Sequence, residues 1–109
     1  MANTFKLKTK ANVGVTTVGI YTAPAATTTV VIGITMANTS GSGVNVGVGI
    51  TRAGTTEDVK LLKNAPIPQG SSLEFMAGNK IVLDATDTVV VDSDTNNSVD
   101  AALTIMEIT

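Results

Sequence analysis

The sequence TTVVIGITM, at residues 28–36, is the stretch that decides the fold class. Most of its residues are β-branched and none is charged, and β-branched side chains favour the extended backbone of a strand. A segment of this kind would aggregate with other chains if it lay exposed at a sheet edge. We therefore predict that these residues form a central β-strand.

Apolar and polar residues alternate with a period of two along most of the chain, and helical spacing is nearly absent. The odd positions from Phe5 to Val15 are apolar or small, whereas the even positions hold three lysines, an asparagine and a glycine. Side chains of a strand point alternately to its two faces. We therefore predict a first strand that buries Phe5 and Leu7 and exposes its lysines.

The remaining strands are predicted between clusters of turn-forming residues. The strand that follows the turn at residues 38–43 is expected to return as a hairpin beside residues 28–36. Residues 66–70 (PIPQG) cannot form an interior strand, because proline lacks the N–H that the ladder needs. A turn is predicted at residues 77–79. The predicted strands are residues 17–22, 44–51, 59–63, 72–76, 80–83, 88–92 and 99–108.

This pattern predicts a single all-β domain that comprises residues 1–109. Its fold class is an antiparallel two-sheet β-sandwich of about 7–9 short strands. The sequence leaves immunoglobulin-like and jelly-roll topologies equally open.

The composition argues against enzymatic chemistry, because the chain has no histidine, no cysteine and no tryptophan. It therefore lacks the usual general base near neutral pH, a thiolate nucleophile and the commonest metal ligands. A net charge of −2 supplies no concentrated cationic face for nucleic acid or an anionic membrane. Neither a secretory signal nor a membrane span is expected from the apolar pattern. We predict no catalytic residue, no cofactor and no metal site.

Two acidic features are candidate sites. Residues 92–100 (DSDTNNSVD) place oxygen ligands at calcium-loop spacing, but Asn97 replaces the turn glycine and Leu103 stands where a glutamate is required. We predict a solvated turn there, with a weak divalent site as the alternative. Asp84 and Asp87 are predicted to cap a turn, since a glycosidase pair also needs aromatic platforms and the chain has three aromatic residues.

Five residues are candidates for partner binding. Lys6, Lys8 and Lys10 form a stripe that is either a charged outer edge or a docking site for an acidic neighbour. Gly47 and Gly49 mark either a β-bulge or a close approach of the two sheets, or else a smooth face against which the backbone of another subunit lies. A mean hydropathy of +0.31 with few charged residues suggests a surface that a partner covers.

Six stretches occur in a characteristic order in the part of the chain from about residue 16 onward, and each comprises a strand with its turn. They are IYTAPA (20–25), TTTVVIGI (27–34), MANTS (36–40), KNAPIPQGSSL (63–73), KIVLDATD (80–87) and LTIMEI (103–108). In this order they resemble a family of small β-sandwich virion structural proteins of tailed bacteriophages, from cyanophages and other aquatic phages. Residues 5–10 lie outside the resemblance, so we predict that this segment meets a neighbour specific to this protein.

The resemblance implies a non-enzymatic structural protein of the virion, assembled in the cytoplasm of the host bacterium. We predict a capsid decoration or cement protein that binds the phage major capsid protein or another virion protein, as a homo-oligomer or in many copies. A tail, neck or fibre-associated component is the alternative. A receptor-binding module for sugars is disfavoured by the absence of tryptophan.

Overall fold

The computed structural model describes residues 3–75 and 80–109, and the predicted turn at residues 77–79 lies outside them. The described residues form nine strands, and they contain no helix that is long and apolar enough to cross a membrane. The all-β prediction is confirmed. The strands are β1 (Asn3–Val13), β2 (Val18–Thr22), β3 (Thr28–Asn38), β4 (Val44–Arg52), β5 (Glu57–Ile67), β6 (Ser72–Phe75), β7 (Ile81–Leu83), β8 (Thr88–Ser93) and β9 (Val99–Ile108).

The strands form two antiparallel sheets. One sheet has the order β1-β9-β3-β6, with β7 also paired to β3, and the other has the order β2-β8-β4-β5. The first strand therefore pairs with the last, β2 with β8, β3 with β6 and β7, and β4 with β5. A long antiparallel ribbon folded over into two sheets in this way is a jelly roll. This order resolves the choice between the two topologies that the sequence left open.

The core lies between the sheets and is filled by alternate residues of the central strands. On β3 these include Val31, Ile34 and Met36, and on β9 they include Leu103 and Ile105, all of them buried. The prediction that residues 28–36 form a central strand is confirmed, because β3 has β9 on one side and β6 and β7 on the other.

The predicted hairpin between β3 and β4 is wrong, because the two strands belong to different sheets. The Asn38 side chain explains how the chain changes sheets. Its amide nitrogen donates to the carbonyl oxygens of Ser42 and Ile67, at 2.8 and 3.0 Å, and its oxygen accepts the Ser40 backbone N–H. These bonds link the turn to the end of β5, so β4 begins beside β5 rather than beside β3.

The predicted burial of Phe5 and Leu7 is also wrong: these side chains are 69% and 65% exposed. Residues directly opposite in an antiparallel pair share a face, and Lys6 and Lys8 lie opposite Ile105 and Leu103. The lysines therefore occupy the face of β1 that looks toward the core. They remain accessible because β1 is an edge strand that contacts the other sheet far less than it contacts β9.

Candidate interaction surfaces

A buried polar network connects the edge strand β1 to the core. The Glu107 carboxylate accepts a hydrogen bond from the Tyr21 hydroxyl at 2.6 Å and pairs with the Lys6 ammonium at 2.8 Å. The same hydroxyl lies 2.7 Å from the hydroxyl of Thr29. Tyr21, Thr29 and Glu107 are all buried. Because Lys6 reaches inward to this carboxylate, the network specifies the register that turns Phe5 outward.

Burial of Tyr21 and its hydrogen bond to Glu107 raise the pKa of the phenol to about 12. The hydrogen bond from Lys6, followed by that from Tyr21, holds the pKa of Glu107 below its usual value despite the cost of burial. Both shifts move the pKa values further from 7, so neither group is suited to proton transfer near pH 7. The network is suited to holding β1 in place.

The first prediction concerns acid stability. The folded-state pKa of Glu107 lies below that of the unfolded chain, so its contribution is complete above about pH 4.3 and is lost as the pH falls through the folded-state pKa. We expect Glu107→Gln to lower the free energy of unfolding at pH 7 by about 1 kcal/mol. The variant should lose less further stability between about pH 5 and pH 3 than the wild type does.

Thermal melting as a function of pH measures this effect. The matched control is Glu74→Gln, which makes the same change at an exposed glutamate of β6, at the opposite edge of the same sheet. Parallel curves for the wild type and Glu107→Gln would show that the buried carboxylate has no part in acid stability.

An apolar row crosses the outer face of the five-stranded sheet. Phe5 lies opposite Met106, Met106 opposite Val30, and Val30 opposite Val82, so four adjacent strands contribute one residue each. Val82 is 61% exposed, similar to Phe5. Leu7, two residues along β1, extends the row. We call these five residues the apolar face. Outer faces of antiparallel sheets are ordinarily polar, so this face is unusual.

The other end of the same sheet surface is concave and lined by small side chains. It forms a hollow of about 350 Å³. Thr9, Ala11, Thr35, Ala37 and Ala102 supply most of its lining, and Lys10, Asp100 and Ala101 complete it. The strand pairing places these residues toward the C-terminal end of β1 and the N-terminal end of β9. Bulky and small side chains therefore lie at opposite ends of one surface.

The lysine stripe is divided by the structure. Lys6 is engaged with Glu107, as described above. Lys8 is half-buried and Lys10 is exposed, and both lie on the edge strand β1. A partner could therefore reach Lys8 and Lys10 along the edge of the sandwich, and their role in binding stays a prediction.

Gly47 and Gly49 are buried among residues of their own chain. A Cβ atom at Gly47 would lie 2.6 Å from the Asp92 carboxylate, and one at Gly49 would lie 2.8 Å from the Val59 carbonyl oxygen. The pairing of β4 with β5 is irregular at these positions. The bulge that formed one interpretation of these glycines is present, but the close approach is to the neighbouring strands β5 and β8 of the same sheet rather than between the two sheets. We use neither glycine in the surfaces proposed below.

The oxygen ligands of residues 92–100 are used by neighbouring parts of the chain. Asp92 accepts from the Thr17 hydroxyl, Asp94 from the backbone of Asn45, and Asp100 from the backbone of Asn12. The carboxylates thereby tie the loop to β1, β2 and β4 rather than converge on one point. No cluster of three acidic residues suited to a metal occurs in residues 3–75 and 80–109.

The Asp84–Asp87 turn is capped as predicted, since the Asp87 carboxylate accepts the backbone N–H of Asp84 at 3.0 Å. Arg52 of β4 binds both carboxylates and so joins the turn to the other sheet. Sequence reasoning missed this arginine, as well as Tyr21 and Glu107. A detectable signal existed for Glu107, because it occupies an inward position of the β9 alternation where apolar residues otherwise stand.

No protein-family model matches this sequence, and no curated protein matches it. Several solved structures are similar in fold. A subunit of the pili that form Bacillus endospore appendages is 15% identical, with a TM-score of 0.57, and the match covers 99% of this chain and 87% of that one. That pilus family is described as disulfide-linked, whereas this chain has no cysteine.

A chain of the T13 particle of infectious bursal disease virus is 13% identical, with a TM-score of 0.59; the match covers 96% of this chain but 30% of the viral one. A pentameric capsid protein from metagenomic phage sequences is 16% identical, with a TM-score of 0.44 and coverage of 94% of this chain and 59% of that one. At this level of identity, the pilus subunit and the chain of the bursal disease virus particle support the fold that the strand order indicates, and the fold alone.

Proposed function

We propose that this chain is a non-enzymatic structural protein of a bacteriophage particle, and specifically a capsid decoration protein that binds the major capsid protein. The observation that carries the structural role is the outer face of the five-stranded sheet, whereas the contact with the capsid is assigned below to Lys8 and Lys10. Its outward strand residues include Phe5, Leu7 and Val82, each more than half exposed. A contiguous apolar surface of this kind is typical of a protein that functions covered by other subunits.

The fold supports the same proposal at a coarser level. Jelly rolls occur in viral capsid proteins, and the similar structures belong to particles and fibres built from many copies. The resemblance of residues 20–25 and the five stretches after it to tailed-phage virion proteins adds the bacteriophage origin. Assembly would take place in the cytoplasm of the host bacterium and leave the protein in the virion.

Lys8 and Lys10 are the residues that we propose contact the capsid. The chain carries a net charge of −2, yet this edge of β1 presents cationic side chains next to each other on one face. Such charges act mainly on association rate and on register with an acidic partner. The predicted role of Lys6 in binding is not used in the test below, because Lys6 also pairs with the buried Glu107 and its substitution would disturb the fold.

We expect Lys8→Glu/Lys10→Glu to bind about tenfold more weakly to phage particles that lack the protein, and the difference should shrink at high salt because exposed charges are screened. The measurement is the number of bound copies after sedimentation with a range of protein concentrations. The matched control is Lys60→Glu/Lys63→Glu, which makes the same change in net charge at two exposed lysines on the edge strand β5.

Equal binding of the two double variants would remove this stripe from the interface. The wild-type copy number in the same experiment tests the location. A decoration protein should approach the major capsid protein in moles, whereas saturation at a few copies per particle would contradict decoration and favour the tail, neck or fibre.

A further inference from the structure

The surface of the five-stranded sheet carries both a protrusion and a depression. The apolar face of Phe5, Leu7, Val30, Val82 and Met106 lies at one end of the strands, and the hollow of about 350 Å³ lies at the other. The outward strand residues at the hollow end are mostly alanine and threonine. In the described strands of this sheet, the charged residues that point outward are Glu74 and Asp100, both at the hollow end.

We propose that a second copy of this chain covers this surface, and that two chains form a face-to-face dimer in solution. A two-fold axis that lies in the interface and perpendicular to the strands reverses the strand direction. It therefore places the apolar face of each copy over the hollow of the other. Such an isologous contact needs a surface that is complementary to itself, and the two ends of this sheet supply the two halves.

The area of the surface is sufficient for a dimer. A face four strands wide and about nine residues long, at spacings of about 4.8 and 3.3 Å, covers roughly 570 Å². Two such faces bury on the order of 1,100 Å² in total, which reaches the range of roughly 1,000 Å² at which specific interfaces begin. The two sheets would pack about 10 Å apart, as in the interior of a sandwich.

Pairing of strand edges is the competing way for two copies to associate, and the sequence opposes it. Antiparallel pairing of two β1 edges about a two-fold axis perpendicular to the sheet would set the lysines of one copy opposite those of the other. Like charges directly opposite are destabilising, and edge lysines are a common protection against such pairing. The other sheet ends in β5, which contains Pro66, Lys60 and Lys63. The β1 and β5 edges are thus protected, whereas the outer face of the five-stranded sheet is not.

The register of β1 supplies a second and independent argument. A shift of one residue would turn Phe5 and Leu7 toward the core and the lysines outward. This is the arrangement that the alternation of residues 5–15 predicts. The Lys6–Glu107 pair opposes that shift, because it would separate Lys6 from its buried partner. A buried charged network that holds Phe5 and Leu7 in solvent is consistent with a face that is kept apolar for an interface.

Sedimentation equilibrium of the purified chain, from micromolar to submillimolar concentration, tests this inference without any phage particle. We expect a reversible species with twice the monomer mass of 11.1 kDa. Leu7→Glu places an unpaired charge in the interface and should raise the dissociation constant at least about tenfold. Val15→Glu is the matched control, because Val15 is also an exposed apolar residue but lies outside the surface.

Ala102→Leu distinguishes a specific, complementary interface from non-specific hydrophobic association. The larger side chain adds apolar surface but fills the hollow that Phe5 and Leu7 of the second copy would occupy. A fitted dimer should again weaken at least about tenfold, whereas non-specific association should strengthen. Circular dichroism and melting confirm that each variant is folded. A wild type that stays monomeric, a Leu7→Glu variant that dimerises normally, or tighter association of Ala102→Leu would each overturn the inference.

Discussion

Replacing Leu103 by alanine should lower the free energy of unfolding by about 3 kcal/mol, which corresponds to a fall in melting temperature of roughly 15 °C for a domain of this size. Leu103 is fully buried on β9, opposite Ile34 of β3 in the centre of the five-stranded sheet. The substitution removes its transfer free energy and leaves a cavity that packed neighbours cannot fill completely. Urea or thermal denaturation measures the change.

The matched control for this variant is Leu7→Ala, the same substitution on the adjacent strand of the same sheet. Leu7 is exposed in the single chain, so at concentrations too low for the proposed dimer to form the change should stay within about 0.5 kcal/mol. The pair of variants also tests the orientation of β1, since the alternation of residues 5–15 taken alone predicts that Leu7 is a core residue. A large loss of stability in Leu7→Ala would show that β1 presents its other face to the core.

Gly49→Ala should lower the free energy of unfolding by about 2 kcal/mol. The new Cβ atom would lie 2.8 Å from the carbonyl oxygen of Val59, which is part of the backbone of β5 and cannot rotate aside. The two strands would have to separate at the point where their pairing is already irregular. Chemical denaturation measures this loss.

Gly33→Ala is the control, because a Cβ atom at Gly33 meets nothing within 4 Å and its φ is not in the left-handed region. Alanine there should be neutral or stabilise the fold by up to about 0.5–1 kcal/mol, through the reduced entropy of the unfolded chain. If Gly49→Ala proved as stable as Gly33→Ala, close backbone approach would not explain the glycine at position 49. The alternative interpretation, a contact with another subunit, would then be favoured.

The face-to-face dimer and the capsid contact use different parts of the molecule. The dimer would cover the outer surface of the five-stranded sheet, whereas Lys8 lies on the opposite face of β1. Lys10 also lines the hollow, so it adjoins both surfaces. A dimer could therefore present two lysine edges to the capsid at once, which strengthens attachment through effective concentration. Sedimentation equilibrium of Lys8→Glu/Lys10→Glu without particles distinguishes the two proposals, because a variant that dimerises normally but binds particles weakly is defective in the capsid contact alone.

The sequence by itself determined the class of the fold and the position of most strands. The predicted boundaries of β9 agree with the structure, and those of β2, β3 and β8 differ by one or two residues at an end. This was possible because alternation, β-branched residues and turn-forming residues are local signals that do not depend on distant parts of the chain. The centrality of β3 also followed from its own residues, since an uncharged strand must be shielded.

Only the tertiary structure decided which sheet each strand joins and which face of β1 meets the core. The alternation of residues 5–15 predicts that the apolar face is inward, but the face that meets the core depends on β9 and on the Lys6–Glu107 pair, about one hundred residues apart in sequence. The same holds for the bonds of Asn38, which carry the chain into the other sheet. These features arise from contacts between distant segments, and the apolar face of this protein exists because those contacts override the local pattern.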